Sequence, residues 1–197
     1  MDNVIDVIKN RRSIRKYVNR PLLKSEIEQI IDAGRYAPSA HNAQPWKFIV
    51  ITDKAKINYL SEEIKGWFRI RARLAKIVRV FNAKVSRELE TAEKRIVEED
   101  LFFYNAPVLV LICAKPGRFS LVDCACAGQN MMLVARSLGI GSCWIGYADL
   151  VINKKRNVMR ELGVPEDHKV MGHLIFGYPI KFPEKALPRK MEEIKWI

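Results

Sequence analysis

The sequence predicts a single domain built as an α/β or α+β layer sandwich, and three observations carry that prediction. Residues 108–113 form an unbroken apolar run behind Pro107, as expected of a strand covered on both faces. Elsewhere apolar residues recur every three or four positions, so helices and strands mix along the chain, with no repeat, low-complexity tract or linker. At 197 residues and 49% apolar content, the chain can close one sizeable core, and its length gives no reason to divide it.

Taken in order, Val4, Ile5, Val7 and Ile8 keep helical spacing, and a second helix follows Pro21 with Ile27, Ile30 and Ile31 on one face and Gly34 near its end. Residues 48–51 read as a strand by their aromatic and β-branched content, and Thr52 and Asp53 can cap a following helix. The apolar strand at 108–113 comes next. From 121 to 138, Cys124, Gly128, Met131, Ala135 and Leu138 mark the strongest helix, which stops at Gly139. A short strand at 142–145, a helix at 154–162 closed by Gly163 and Pro165, and a last strand at 170–176 complete the domain. The tail from 177 to 197 is rich in proline and lysine yet carries Ile194, Trp196 and Ile197, so it is expected to dock on something, with a partner subunit as the candidate.

Composition narrows the function. No stretch of 18 uncharged apolar residues occurs and the first residues carry no long apolar core, so neither a membrane span nor secretion is expected. Cys113, Cys124, Cys126 and Cys143 sit in apolar surroundings without the spaced pairs of a disulfide scaffold or zinc site, which fits a reducing cytoplasm. The net charge of +12 attracts anions of any kind, from nucleotides to nucleic acid. Much of that excess lies between Lys65 and Arg95 and then gives way to acidic residues, the pattern of a long solvated helical pair.

Three segments carry candidate chemistry. Arg11, Arg12, Ser13 and Arg15 put three guanidinium groups and a hydroxyl straight after a helix, a set suited to phosphate oxygens; solvated cations at a helix C-terminus are the plainer reading. The loop with Pro38, Ser39, His41, Asn42, Gln44 and Pro45 presents amides of the kind that read a heterocycle edge, although such amides more often bond the local backbone. Between Gly139 and Tyr147, glycines flank a short apolar strand and would let backbone approach a flat ring, or simply make turns. His41 has no second histidine or cysteine nearby, so no metal is expected, and no GxGxxG or GxxxxGK[ST] loop is present. Pro188, Arg189 and Lys190 add late cations.

In this order these segments resemble the nitroreductase family of FMN enzymes over nearly the whole chain. Further anchors are Asn105-Ala106-Pro107 before a strand, Gln129-Asn130 in the long helix and Gly177-Tyr178-Pro179. The resemblance implies an α+β three-layer sandwich, a mainly antiparallel central sheet covered by helices, in a swapped homodimer whose arms, residues 180–197, dock on the partner. It implies that Arg11, Arg12, Ser13 and Arg15 hold the FMN phosphate and ribityl chain, joined by Arg189 and Lys190. Pro38, Ser39, Asn42 and Gln44 would contact flavin, with Ser39 and Asn42 coming from the second subunit, and Ile145, Gly146 and Tyr147 would line the ring near N5. Across the segment from Lys65 to Glu99 the resemblance carries over no residue-by-residue roles.

The implied reaction moves hydride from NADH or NADPH to flavin and on to a nitroaromatic, quinone or similar small-molecule acceptor, with the cofactor carrying the chemistry and no side chain named as catalytic. A dehalogenase-like enzyme or a flavin carrier of the same fold is the alternative. Nucleic-acid binding is the alternative of another class, but it has only the charge in its favour, since no helix-turn-helix, zinc-finger or RNP-like motif is present.

Overall fold

The computed structural model of the protein describes residues 3–78, 102–186, 188–190 and 193–197. The elements run α1 (Val4–Asn10), α2 (Lys24–Arg35), β1 (Lys47–Ile51), α3 (Lys54–Val78), β2 (Val108–Ala114), α4 (Ser120–Ser137), β3 (Gly141–Trp144), α5 (Arg156–Glu161) and β4 (Lys169–Gly177). Short 3₁₀ turns occupy Ala40–Asn42, Gly146–Leu150 and Ile152–Lys154. The sheet has the order β1-β2-β4-β3 with every pair antiparallel, which settles the fold as α+β.

Strand β2 explains the layers. Every residue from Val108 to Ala114 is buried. Strand alternation sends Val108, Val110, Ile112 and Ala114 to the face covered by α2 and α4, beside Ile30, Cys124, Met131 and Ala135. Leu109, Leu111 and Cys113 face the opposite cluster, built from Ile57, Leu60 and Ile64 of α3 with Val158 and Met159 of α5. Two helical layers thus sandwich one sheet, each apolar side chain contributing about 1.5–3 kcal/mol of burial.

Local signals set most element ends. Asp53 Oδ1 accepts from the Ala55 N–H at 2.8 Å and opens α3. Gly139 has φ 73°, the left-handed stop expected after α4. The expected helix at 154–162 is divided: Lys154 closes a 3₁₀ turn and the α-helix begins at Arg156.

Helix α1 forms as expected; of its residues only Val7 is buried, while Val4, Ile5 and Ile8 are 68%, 55% and 51% exposed. Lys65, placed by charge pattern on a solvated helix, is buried, because its stem lies on the core side of α3 and its ammonium meets Glu62 Oε1 at 2.8 Å. The rest of that charged segment, from residue 79 to 101, lies outside the described residues. Among the described residues, no helix is long and apolar enough to cross a membrane.

Candidate cofactor site

The chain leaves α1 at Arg11 in extended conformation and runs alongside the edge strand β3. Ser13 forms a parallel bridge with Ser142, and the Ile14 N–H donates to the Ser142 carbonyl at 2.9 Å. This is possible because residue 141 is glycine: a Cβ there would stand 2.9 Å from three side-chain carbons of Ile14. Further along, Tyr17 bridges Pro179 and its hydroxyl donates to the Ile14 carbonyl at 2.6 Å, while burial raises the Tyr17 phenol pKa. Residues 13–17 are thereby stapled to β3 and to the end of β4.

Side chains between those staples alternate in direction. Ile14 is buried, whereas Ser13 and Arg15 are exposed and Arg11 and Arg12 are half-buried. The Arg15 guanidinium lies 5.7 Å from the Tyr104 ring centroid. Burial raises the Cys143 thiol pKa, and Arg15, Ser13 and Arg11 act to lower it, which puts them around one residue of β3. Among the described residues, no ion pair engages Arg11, Arg12 or Arg15. Arg12 spends one guanidinium nitrogen on the Lys9 and Arg11 carbonyls, at 2.6 and 2.9 Å, and its buried Nε has no partner among the described residues. Guanidinium groups gathered without carboxylates suit an anion supplied from outside.

Beyond β3, Ile145 is buried and Gly146 and Tyr147 turn outward, Tyr147 being 67% exposed. A Cβ on Gly146 would meet nothing within 4 Å, so the backbone there faces open space. Tyr147 stands edge-on to Phe68, at 6.3 Å between centroids, and Phe68 stacks on Phe102 at 5.5 Å. Open backbone beside an aromatic wall fits a flat ring, and the arginines fit its phosphate.

The loop before β1 stands elsewhere. His41, Asn42 and Gln44 all have positive φ, at 54°, 53° and 44°, uncommon values that the surroundings must enforce. The Gln44 N–H donates to Ser39 Oγ and its side-chain amide to Asn42 Oδ1, both at 3.0 Å. The Ala40 N–H donates to Asp123 Oδ1 at 3.1 Å, anchoring the loop to the first turn of α4. Pro38, Asn42 and Gln44 are exposed and Ser39 is half-buried. Sheet register separates this loop from the arginines: Lys47, which follows it, pairs with Cys113, whereas Ser142 joins Phe176 and hence Val108. About five strand steps divide the two ends, on the order of 17 Å.

One chain therefore brings Arg11, Arg12, Ser13 and Arg15 together with Ile145, Gly146 and Tyr147, and leaves Pro38, Ser39, Asn42 and Gln44 apart. Arg189 and Lys190 are exposed on the tail, beyond Phe182, over which the Arg136 guanidinium sits at 4.2 Å. Among the described residues, no histidine, cysteine and carboxylate cluster could hold a metal, and all four cysteines are free thiols. Sequence reasoning missed Asp123, which reads as an ordinary first-turn carboxylate, and Tyr17; nothing local marks either as a support of the site.

The Nitroreductase family profile matches residues 8–178. A protein of Archaeoglobus fulgidus, provisionally described as an NADH dehydrogenase/NAD(P)H nitroreductase, is 32% identical over the full length of both chains. The nitrobenzene nitroreductase of Ectopseudomonas oleovorans is 26% identical, with 96% of this chain and 90% of that protein covered. The solved structure of a nitroreductase with bound FMN from Bacteroides fragilis superposes with a TM-score of 0.72 at 34% identity, covering 99% of this chain and 96% of that one.

Proposed function

This chain belongs to the nitroreductase family and is an NAD(P)H-dependent FMN oxidoreductase, and from that premise we propose that it passes electrons to a nitroaromatic, quinone or similar small acceptor. The observation that carries the reading is the arginine cluster on the β3 edge, without an ion-pair partner among the described residues and followed along the chain by the open backbone at Gly146. When bound, FMN would supply the hydride chemistry, taking two electrons from the nicotinamide and releasing them to the acceptor.

The chain's own residues bind and orient. Arg11, Arg12 and Arg15 would hold the FMN phosphate by charge-assisted hydrogen bonds, with Ser13 as a neutral donor. Backbone N–H groups at Gly146 and Tyr147 would meet the ring, and Ile145 and the Phe68–Tyr147 wall would exclude water from it. The arginine charge favours anionic guests, including the phosphates of a nicotinamide cofactor.

The working unit is a homodimer in the cytoplasm, the compartment that four free thiols support. Pro38, Ser39, Asn42 and Gln44 lie too far from the arginines of their own chain and complete the site of a second copy. Exposed Val4, Ile5 and Ile8 on α1 and Leu121 and Val122 on α4 supply apolar surface for that contact. A groove of about 1380 Å³ between α2 and the open edge of β1, floored by Leu22, Ile27, Ile31 and Val50, receives the arm at 180–197, whose Ile194 and Trp196 are exposed on a single chain. Arg189 and Lys190 would reach the phosphate from this arm.

The direct test is the visible spectrum of the purified protein, saturated with FMN and titrated anaerobically with NADH and then NADPH. Flavin bands that bleach with a nicotinamide and return on adding a nitroaromatic or quinone are the expected result. Bands that bleach but return with neither class of acceptor would refute the acceptor assignment.

A further inference from the structure

His173 lies at the centre of β4 with 0% of its surface exposed. By strand alternation its imidazole shares a face with Ile175, whose apolar cluster includes Leu111, Ile145, Ala148 and Val151. Among the described residues, Nε2 has no hydrogen-bond partner. Its other nitrogen, Nδ1, stands 2.7 Å from Asp149 Oδ1, a close but poorly aligned contact. A leucine would fill such a place without the desolvation cost of an imidazole, so the polar contact itself is the feature to explain.

His173 is attached at both ends of one short segment. Its carbonyl accepts from the Ile145 N–H at 2.8 Å, and its ring meets Asp149 within the turn Gly146–Leu150. The two attachments bracket Gly146 and Tyr147, and a Cβ on Gly146 would meet nothing within 4 Å among the described residues. The turn is a single 3₁₀ segment, a geometry that needs outside support.

We propose that His173 is a positioning residue: through Asp149 it fixes the Gly146–Tyr147 backbone in the orientation that meets the flavin ring. This rests on the FMN reading above. The residue touches neither cofactor nor acceptor and acts only through the turn.

The test compares wild type with His173→Leu, Asp149→Ala, the double variant and His173→Gln, which keeps an N–H able to reach the carboxylate. Asp149 is partly exposed, so its replacement leaves the core intact even if His173→Leu folds poorly. Amide exchange of the protein without cofactor is followed at residues 146–150, and FMN affinity and the reduction potential of bound flavin are measured alongside. Exchange in the turn is expected to speed up about tenfold in both single variants, with no further change in the double variant and recovery in His173→Gln. Affinity should fall and the potential shift in the same order.

Unchanged exchange in the turn, or losses that add in the double variant, would overturn the proposal. So would turn exchange that responds while the potential of bound flavin does not. Wild type that binds no FMN would instead refute the functional reading, and the exchange pattern would still decide whether His173 supports the turn.

Discussion

The Ala40 N–H donates to Asp123 Oδ1 at 3.1 Å, joining residues 83 apart in sequence. Asp123 is 7% exposed, so this carboxylate is committed to the loop rather than to solvent. A hydrogen bond to a charged group contributes about 1.5–3 kcal/mol, and its loss here falls on a loop already held at positive φ. Asp123→Ala should therefore lower FMN affinity about tenfold with circular dichroism unchanged, and Asp123→Asn should lie between it and wild type. Fluorescence titration of FMN decides it; an unaltered affinity would remove residues 38–44 from the site.

The arginine cluster predicts a preference rather than a simple loss. Arg15→Ala should weaken FMN by about 2 kcal/mol, the scale of one charge-assisted hydrogen bond, while riboflavin, which lacks the phosphate, binds the variant and wild type alike. Parallel calorimetric titrations with the two ligands separate phosphate recognition from general damage. Equal losses for both would mean that Arg15 supports the fold instead.

Gly141→Ala tests the close approach beneath Ser13. The added methyl would stand 2.9 Å from Ile14 Cβ, Cγ1 and Cγ2, atoms fixed near the backbone, which no rotamer change can move aside together. Overpacking of this kind costs about 1–3 kcal/mol. The variant should melt several degrees lower and lose FMN affinity, because relief requires residues 13–15 to lift from β3. Calorimetry and FMN titration report the two effects separately.

Asp167 contributes to acid stability. Lys115 Nζ lies 2.7 Å from Asp167 Oδ2, and His168 Nδ1 lies 2.6 Å from Oδ1. The Lys115 hydrogen bond, then that from His168, lowers the Asp167 pKa from 3.8 to about 2. A carboxylate depressed in the folded state stabilises the protein above its unfolded pKa, and that contribution fades as pH falls through the folded value. Wild type should thus lose stability between about pH 4 and pH 2 more steeply than Asp167→Asn, as read from melting temperature against pH. Parallel curves would show that other carboxylates dominate.

Legibility in the sequence followed the range of each interaction. The buried strand β2, the left-handed stop at Gly139 and the Asp53 cap depend on neighbours within a few residues, and each stands where local pattern placed it. The arginine cluster was visible as a motif, but its pairing with β3 depends on Ser142 and Gly141, which no local pattern connects to Ser13. Lys65 misled because charge pattern reports the head group, whereas burial of the stem depends on what α3 packs against. Asp149 and His173 belong to a turn and a strand 24 residues apart, and neither carries a local mark of the contact.

The distance between the arginine cluster and the 38–44 loop has a genetic consequence. If each complete site takes its cluster from one chain and its loop from another, a chain damaged in the cluster and a chain damaged in the loop are not equally lost to each other. Their mixed dimer holds one site with both faults and one with none. Co-expressing Arg15→Ala with Asp123→Ala should then restore tight FMN binding at one site per mixed dimer, although neither variant alone supports it. A site confined to one chain would give no such complementation.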